Sequence, residues 1–252
     1  MNYKVRRTAL IDGDFIAYQL AAWAHSSQAD SLAMSERIEE TFGDWLQRSC
    51  CSDSLVMFSC SRDENFRRDS YPLYKAHRTA EPPAMLERAK EIVADCSRLV
   101  TIPHLEADDV MGILATNGKI PCPVIVTVDK DLRQIPGYHF NPNKEDFPSL
   151  VSVADADAMF YQQWLTGDAT DGFGGIRGCG PKKAQKILDT NTGDGAPTPD
   201  DYELNICSAY EAAGYSRQEC IAQARCARIL RAEDFDAETR TPIPWGKHLE
   251  VR

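Results

Sequence analysis

The chain of 252 residues carries 28 lysines and arginines against 38 aspartates and glutamates, a formal charge of −10. A composition of 43% hydrophobic and 26% charged residues is typical of a folded globular protein and excludes the disordered and fibrous classes. No apolar run approaches the roughly 20 residues that span a bilayer, and no signal-peptide pattern is found, so we expect a cytoplasmic protein with no membrane partner. The acidic balance argues at first against a nucleic-acid partner, because phosphates attract lysine and arginine.

The first 160 residues alternate between short apolar runs and stretches with apolar residues at helical spacing. The apolar runs predict four strands, at Thr8–Ile11, Leu55–Phe58, Leu99–Ile102 and Val124–Val128. The stretches between them predict helices at Phe15–Trp23, at Ile38–Leu46, after Pro82-Pro83 and at Glu106–Thr116. Alternation of this kind predicts an α/β fold in which a parallel sheet carries helices on both faces.

From about residue 154 onward the pattern becomes helical. Further helices are predicted at Asp155–Leu165, Lys182–Leu188, Tyr202–Ala213 and Arg217–Arg231, and residues 191–200 predict a loop. We therefore divide the chain into an α/β catalytic domain, residues 1–160, and a helical subdomain, residues 161–252.

Acidic residues follow each of the four predicted strands. They are Asp12 and Asp14, then Asp63, then Glu106, Asp108 and Asp109, and last Asp129 and Asp131. The carboxyl ends of parallel strands meet at the edge where α/β proteins bind ligands. A single acid there is commonly only a helix cap, but a crowd of unpaired carboxylates is unfavourable unless a cation neutralises it. Oxygen ligands favour Mg²⁺ or Mn²⁺, and pairs of such ions are used in phosphodiester hydrolysis.

A glycine-rich basic segment follows the fifth predicted helix. Asp168 and Asp171 are three residues apart, so they can face one side of a turn. The glycines after them permit close backbone approach, Pro181 suits a first helical turn, and the following amides can cradle a phosphate. The basic residues here are Arg177, Lys182, Lys183 and Lys186. A glycine-rich connection with a solvated basic helix explains the same composition.

Residues 62–78 interleave basic and aromatic side chains. Arg67, Tyr74, Lys75 and Arg78 belong to this stretch, and the combination suits phosphate contact with base stacking. A charged surface turn whose aromatic side chains pack inward is the alternative.

Together these segments resemble the 5′-nuclease (flap endonuclease, PIN-like) superfamily, above all the compact 5′→3′ exonucleases of tailed phages. The resemblance covers residues 8 to about 188 and depends most on Glu106-Ala107-Asp108-Asp109 and on Gly175-Ile176-x-Gly178-Cys179-Gly180-Pro181-Lys182. It implies a PIN-like α/β nuclease domain with a helix–three-turn–helix subdomain that grips duplex DNA through its backbone.

The resemblance also implies a role for each candidate residue. The first metal site would use Asp12, Asp63, Glu106 and Asp108, and the second would use Asp109, Asp129, Asp131, Asp168 and Asp171. Lys75, Arg78 and Tyr74 would act in catalysis, with Tyr74 offering a stacking face. DNA contacts would come from Arg67, Arg177, Gly178, Gly180, Lys182, Lys183 and Lys186. Two Mg²⁺ ions are implied, with Mn²⁺ able to substitute, and a K⁺ ion at the turn of Gly178 and Gly180.

The predicted function is metal-dependent 5′→3′ exonuclease action on the ends, nicks or flaps of double-stranded DNA, with RNase H or flap activity, by a monomer. RNA–DNA hybrid is a further candidate substrate. Only 27 residues separate Arg78 from Glu106, which favours an open clamp over a closed arch that threads a 5′ strand. The alternatives are a haloacid-dehalogenase-type phosphatase and a non-catalytic DNA-binding module.

The metal sites also change what the net charge means. Of the 38 acidic residues, nine are assigned to metal sites, so the remaining 29 nearly balance the 28 basic residues. The acidity therefore indicates a concentrated metal site and does not exclude DNA.

Overall fold

A six-stranded sheet forms the centre of the computed structural model, which describes residues 6–190 and 197–250. The strands are β1 (Thr8–Asp12), β2 (Asp53–Met57), β3 (Arg98–Val100), β4 (Pro123–Val126), β5 (Gly137–Phe140) and β6 (Ser149–Val151). Their order is β3-β2-β1-β4-β5-β6, and all neighbours are parallel except the antiparallel pair β5 and β6. The predicted α/β class is confirmed, but β5 and β6 were not predicted.

Five of the described helices belong to the α/β part of the chain. They are α1 (Gly13–Ser27), α2 (Ser31–Arg48), the short α3 (Arg67–Ser70), α4 (Leu86–Asp95) and α5 (Ala107–Thr116). One face of the sheet packs on α1, α2 and α4 through a core that includes Ile16, Ile38 and Val93. The other face packs on α5 through Val110 and Ile113. Burial on both faces explains why the central residues of β1, 9–11, and all of β4 are apolar.

Four helices form a second core around Trp164. They are α6 (Val153–Thr166), α7 (Pro181–Leu188), α8 (Pro199–Ala212) and α9 (Arg217–Ala227). The predicted division at residue 160 falls inside α6 and stays a prediction. Part of the predicted 191–200 loop, residues 191–196, lies outside the described residues. Beyond the helices, β7 (Phe235–Asp236) and β8 (Thr241–Pro242) pair in a hairpin, so strands do not stop at residue 154 as expected.

After α9 the chain returns to the α/β part as an extended stretch, Arg228–Asp234, which we call the return segment. Ile229 and Leu230 belong to the same core as α5. Gly112 on α5 allows this approach, because a Cβ atom there would lie 2.2 Å from the carbonyl oxygen of Leu230. The helical part is therefore tied to the sheet by buried contacts at its end.

The segment between Arg78 and the next helix is short. Residues 79–85 contain no helix, and α4 packs on α1 with Ala89, Ile92 and Val93 buried. Helix α4 is thus a layer of the α/β part and does not arch over the sheet edge. None of the described helices has the length and apolar character that a membrane crossing requires.

One buried histidine gives the fold a pH dependence. The Nε2 atom of His139 on β5 lies 2.8 Å from the carbonyl oxygen of Ile135, and burial lowers the pKa of His139 from 6.5 to about 4. Between these values His139 binds a proton in the unfolded chain but not in the folded chain. The stability that neutral His139 contributes is therefore fully present above pH 6.5 and is lost as the pH falls toward 4. Over this window we expect the wild type to lose on the order of 3 kcal/mol more unfolding free energy than His139→Gln. Urea denaturation at each pH measures the difference, and equal pH slopes would contradict it.

Candidate active site

A cleft of about 870 Å³ opens at the carboxyl edge of the sheet. Its acidic lining comes from both parts of the chain and consists of Asp12, Asp14, Glu106, Asp108, Asp129, Asp131, Asp168 and Asp171. The first six end or follow β1, precede or begin α5, or follow β4, and the last two follow α6. Seven of the nine predicted metal ligands therefore share one cleft.

The buried end of the cleft holds carboxylates that repel one another. Burial, with the charges of Asp14 and Asp129, raises the pKa of Asp12 to about 7. Burial, then Asp12 and Asp129, raises the pKa of Asp108 well above its ordinary value. Asp12 also caps α1, since its Oδ1 accepts a hydrogen bond from the Phe15 N–H at 3.0 Å. The capping role and the crowded charge exist together in this residue.

A second carboxylate pair spans the two parts of the chain. Burial, followed by Asp129 and Asp168, raises the pKa of Asp131 to about 6. Burial opposes ionisation of Asp168 as well, but hydrogen bonds led by that from the Thr170 N–H lower its pKa. Asp168 lies in a tight turn whose two sides meet at Gly167 and Gly175. A Cβ atom on Gly167 would lie 2.5 Å from the Gly175 nitrogen, and one on Gly175 would lie 2.4 Å from the Gly167 nitrogen.

The opposite wall of the cleft supplies positive charge. Lys75 Nζ lies 2.6 Å from Glu106 Oε1 and 3.6 Å from Asp171 Oδ1, and Arg78 Nη2 lies 2.7 Å from Asp171 Oδ1. Burial alone would raise the pKa of Glu106, but Lys75 and Arg67 outweigh it and lower that pKa. Lys75 has a φ of 52°, an uncommon left-handed conformation, and its N–H donates to the Asp171 carbonyl oxygen at 2.7 Å. The strained backbone thus aims this cation into the cleft.

Tyr74 does not have the exposed ring that base stacking requires. Its side chain is only 2% exposed and packs in the helical core. Its hydroxyl lies 3.0 Å from Glu106 Oε2 and 2.9 Å from Asp171 Oδ2, and it can donate its one proton to either. The predicted stacking face is therefore wrong, and Tyr74 instead presents a hydroxyl to the cleft.

Asp63 lies away from the other predicted ligands. It is part of a short 3₁₀ turn, Arg62–Glu64, its side chain is 80% exposed, and its carboxylate faces Arg62 at 3.8 Å and Arg68 at 3.9 Å. It does not line the cleft. Its carboxylate is exposed to solvent beside these two arginines, so its predicted place in the first metal site is wrong for this structure.

Asp109 and Arg67 form a buried ion pair instead of serving the cleft and the DNA surface. Asp109 is 0% exposed and Arg67 is 2% exposed. Arg67 Nη1 and Nη2 lie 2.6 and 2.7 Å from the two oxygens of Asp109, and Arg67 also donates to the Arg228 carbonyl oxygen at 2.6 Å. Asp109 further accepts from the Leu230 N–H at 3.1 Å. Neither the predicted metal-binding role of Asp109 nor the predicted DNA contact of Arg67 fits this burial.

The glycine-rich basic segment is exposed, as a DNA contact requires. Arg177, Gly178 and Gly180 lie on the surface before α7, and Gly178 has a φ of 71°. The exposed lysines of α7 are Lys182, Lys183 and Lys186. Their role in DNA binding stays a prediction.

The donor set of the cleft fits a hard divalent cation. Its ligands are carboxylate oxygens, and a bound positive charge would relieve the repulsion that raises the pKa of Asp12 and Asp108. Within residues 6–190 and 197–250, no three acidic, histidine or cysteine side chains already converge on one point. The carboxylates therefore line the cleft without forming a closed ligand shell.

Two glutamines join the acidic cleft to the return segment and were not predicted from the sequence. Gln163 Nε2 lies 3.2 Å from Asp131 Oδ2 and 3.4 Å from Asp168 Oδ2. Gln134 in turn contacts Gln163 and the backbone at Ala227. No sequence motif indicates this role, because the partners of Gln134 lie 29 and 93 residues further along the chain.

Comparison with known proteins identifies the family. Residues 7–157 match the family model described as 5′-3′ exonuclease, N-terminal resolvase-like domain. The chain is 26% identical over 267 aligned residues to the exodeoxyribonuclease of Enterobacteria phage T3, covering 90% of this chain and 88% of that protein. It is 30% identical over 149 residues to DNA polymerase I of Rhizobium leguminosarum, covering 53% of this chain but only 14% of the polymerase.

A solved structure shows the same fold. The bacteriophage T5 flap endonuclease in complex with DNA and metal ions superposes with a TM-score of 0.56 at 16% identity, covering 88% of this chain and 91% of that one. The match to this family model excludes the alternative of a haloacid-dehalogenase-type phosphatase. The chain belongs to the 5′-3′ exonuclease family.

Proposed function

We propose that this chain is a metal-dependent 5′→3′ exonuclease that hydrolyses phosphodiester bonds at the ends, nicks or flaps of duplex DNA. The observation that carries the proposal is the cleft in which Asp12 and Asp108 repel one another beside a wall of cations. Family membership and the likeness to the phage T3 exodeoxyribonuclease support the same activity.

The proposed metal ligands are seven of the eight acids that line the cleft, all except Asp14. Asp12, Glu106 and Asp108 would hold one cation, and Asp129, Asp131, Asp168 and Asp171 would hold a second. Mg²⁺ is the proposed ion and Mn²⁺ its substitute, since both prefer carboxylate oxygens. Divalent cations there supply the Lewis acidity that helps water attack a phosphodiester and stabilises the leaving oxygen.

Lys75 and Arg78 would bind the phosphate to be cleaved. They are paired with Glu106 and Asp171, so positive charge is already held at the cleft. An incoming phosphate would compete for these cations and would leave the carboxylates free for metal ions. Preorganised cations of this kind also offset the charge that develops on the phosphate oxygens in the transition state.

The proposed DNA path runs between the acidic cleft and α7. The T5 flap endonuclease structure contains DNA and metal ions, which supports a DNA substrate for a chain of the same fold. The lack of a helix in residues 79–85 supports an open cleft that takes duplex ends and nicks without threading a strand. We extend the proposal to RNA–DNA hybrids, to a K⁺ ion at the Gly178 turn, and to a monomer acting in the host cytoplasm.

A time course on end-labelled DNA tests the proposed function. Duplex, nicked and flapped substrates, labelled at the 5′ or the 3′ end, are incubated with Mg²⁺ or with EDTA. We expect early release of the 5′ label in short products, progressive shortening of the 3′-labelled strand, and no cleavage in EDTA. Early release of the 3′ label would overturn the polarity. DNA binding in EDTA with no cleavage after Mg²⁺ addition would favour a non-catalytic binding module.

The lysines of α7 should contribute affinity and not chemistry. We expect the double variant Lys182→Ala/Lys183→Ala to weaken duplex binding, because it removes phosphate contacts. Each lost contact should also reduce the steepness of log affinity against log salt concentration by roughly 0.9. Single-turnover cleavage at saturating enzyme should be nearly unchanged. Fluorescence anisotropy in EDTA over a range of salt concentrations measures the slope. Lys119→Ala is the matched control, since this exposed lysine precedes β4 at the other end of the sheet, and an effect as large there would contradict the assignment.

A further inference from the structure

Gln163 connects two carboxylates that come from different parts of the chain. Asp131 begins the 3₁₀ turn Asp131–Gln134 after β4, and Asp168 follows α6. Gln163 lies near the end of α6, and its Nε2 is 3.2 Å from one carboxylate and 3.4 Å from the other. An amide nitrogen carries two protons, so it can donate to both carboxylates at once. It thereby opposes their repulsion without adding the positive charge that would compete with a metal ion.

The orientation of this amide is fixed by a second amide behind it. Gln134 is 1% exposed, and its Oε1 accepts from the Ile229 N–H at 3.4 Å. Its Nε2 donates to the Ala227 carbonyl oxygen at 2.9 Å and also to Gln163 Oε1. Because the backbone groups fix which end of Gln134 carries the donor, Gln163 must present its oxygen to Gln134 and its nitrogen to the acids.

The return segment therefore extends into the cleft through two side chains. Ile229 is held in the core below α5, and Arg231 donates to the Gln134 carbonyl oxygen at 2.7 Å while pairing with Asp157 at the same distance. These contacts keep Gln134 rigid. A chain of hydrogen bonds therefore runs from the backbone of the return segment through the amides of Gln134 and Gln163 to the carboxylates of Asp131 and Asp168.

We propose that Gln163 is a positioning residue for the second metal site. Its amide, oriented by Gln134, sets the spacing of Asp131 and Asp168 so that a divalent cation can bind between the two parts of the chain. This inference rests on the proposed function and adds to it the residues that align the ligands. Residues outside the ligand shell that orient the ligands typically contribute 10- to 100-fold to metal affinity.

The test compares Gln163→Leu with Gln162→Leu. Gln162 is the neighbouring half-buried glutamine of α6, and in the described chain it is not a hydrogen-bond partner of either carboxylate. Calorimetric titration of Mn²⁺ into DNA-free protein is the first readout. For Gln163→Leu we expect one class of Mn²⁺ sites to weaken by about 10- to 100-fold. The Mg²⁺ concentration for half-maximal cleavage should rise by a similar factor, with a smaller change in kcat at saturating Mg²⁺, and the control should match the wild type.

Other outcomes separate the two proposals. If wild-type protein cleaves DNA and Gln163→Leu keeps wild-type Mn²⁺ affinity, the positioning role is overturned and the nuclease function stands. If wild-type protein neither binds Mn²⁺ nor cleaves DNA, the proposed function itself fails. Melting in EDTA shows whether Gln163→Leu folds. Should it unfold, Gln163→Asn keeps the amide but shortens its reach, and wild-type Mn²⁺ affinity in that variant would equally overturn the role.

Discussion

Replacing Asp108 by Asn is expected to abolish Mg²⁺-dependent cleavage and at the same time to stabilise the metal-free protein. Asp108 is a half-buried carboxylate whose pKa is raised by desolvation and by the charges of Asp12, Asp129 and Glu106. Asparagine has nearly the same shape and removes one of the repelling charges. The gain in unfolding free energy in EDTA should be on the order of 1 kcal/mol or more, since one pKa unit of repulsion corresponds to about 1.4 kcal/mol.

The metal-bound protein should respond in the opposite direction. A cation that binds only the folded chain stabilises it, so Mg²⁺ should raise the Tm of the wild type but much less that of Asp108→Asn. Cleavage should fall by more than about 100-fold, because even residues that only orient metal ligands contribute that much. Melting in EDTA and in Mg²⁺, with single-turnover cleavage, measures both effects.

Asp63→Asn is the matched control for Asp108→Asn. Asp63 also follows a strand of the sheet and was also predicted as a ligand, but its exposed carboxylate does not line the cleft. We expect its Tm, its Mg²⁺ response and its cleavage rate to equal those of the wild type. A lower Tm of Asp108→Asn in EDTA with an undiminished Mg²⁺ response would show that Asp108 is an ordinary structural acid.

The positions of strands predicted most of the acidic cleft. Because parallel strands end at the same edge, the residues after β1 and β4 and before α5 had to come together, and Asp12, Asp108 and Asp129 do so. The adjacent acids Asp108 and Asp109 could not be separated by that reasoning alone. Successive side chains on a helix point about 100° apart, so one faces the cleft and the other faces the core. The buried residues Met111, Gly112 and Ile113 lie three or four residues beyond one acid or the other, so the burial pattern of α5 carried no signal that separates the two.

Other parts of the fold depend on partners far away in the chain. The interleaved basic and aromatic residues of 62–78 suited a DNA surface equally well as an inward-packed turn. Tyr74 can be buried because its hydroxyl contacts Asp171, which lies 97 residues further along the chain. Arg67 can be buried because it pairs with Asp109, which lies 42 residues further along. The strands β5 (Gly-Tyr-His-Phe) and β6 (Ser-Leu-Val) lack the uninterrupted run of β-branched residues that predicted β4, and they form because β4 offers an edge for pairing.

Replacing Asp109 by Leu is expected to destabilise the protein by about 3–5 kcal/mol, the opposite of the effect at the neighbouring Asp108. The substitution removes the bidentate partner of the buried Arg67, leaves it only Glu106 at 3.6 Å, and leaves the Leu230 N–H without its acceptor. A buried ion pair that loses one partner typically costs this much, because the remaining charge stays desolvated. Urea denaturation in EDTA measures the change.

The double variant Arg67→Met/Asp109→Leu separates the cost of an unpaired charge from loss of packing. Replacing both partners of a buried ion pair by apolar side chains is often neutral or stabilising, so the double variant should recover at least about 2 kcal/mol over Asp109→Leu. It should also keep the wild-type rise of Tm in Mg²⁺, since Asp109 is fully buried with both oxygens bound by Arg67. Loss of that rise in a well-folded double variant would restore Asp109 to the metal site. Recovery of stability together with the Mg²⁺ response would instead show that Asp109 balances the buried charge of Arg67 and is not a metal ligand.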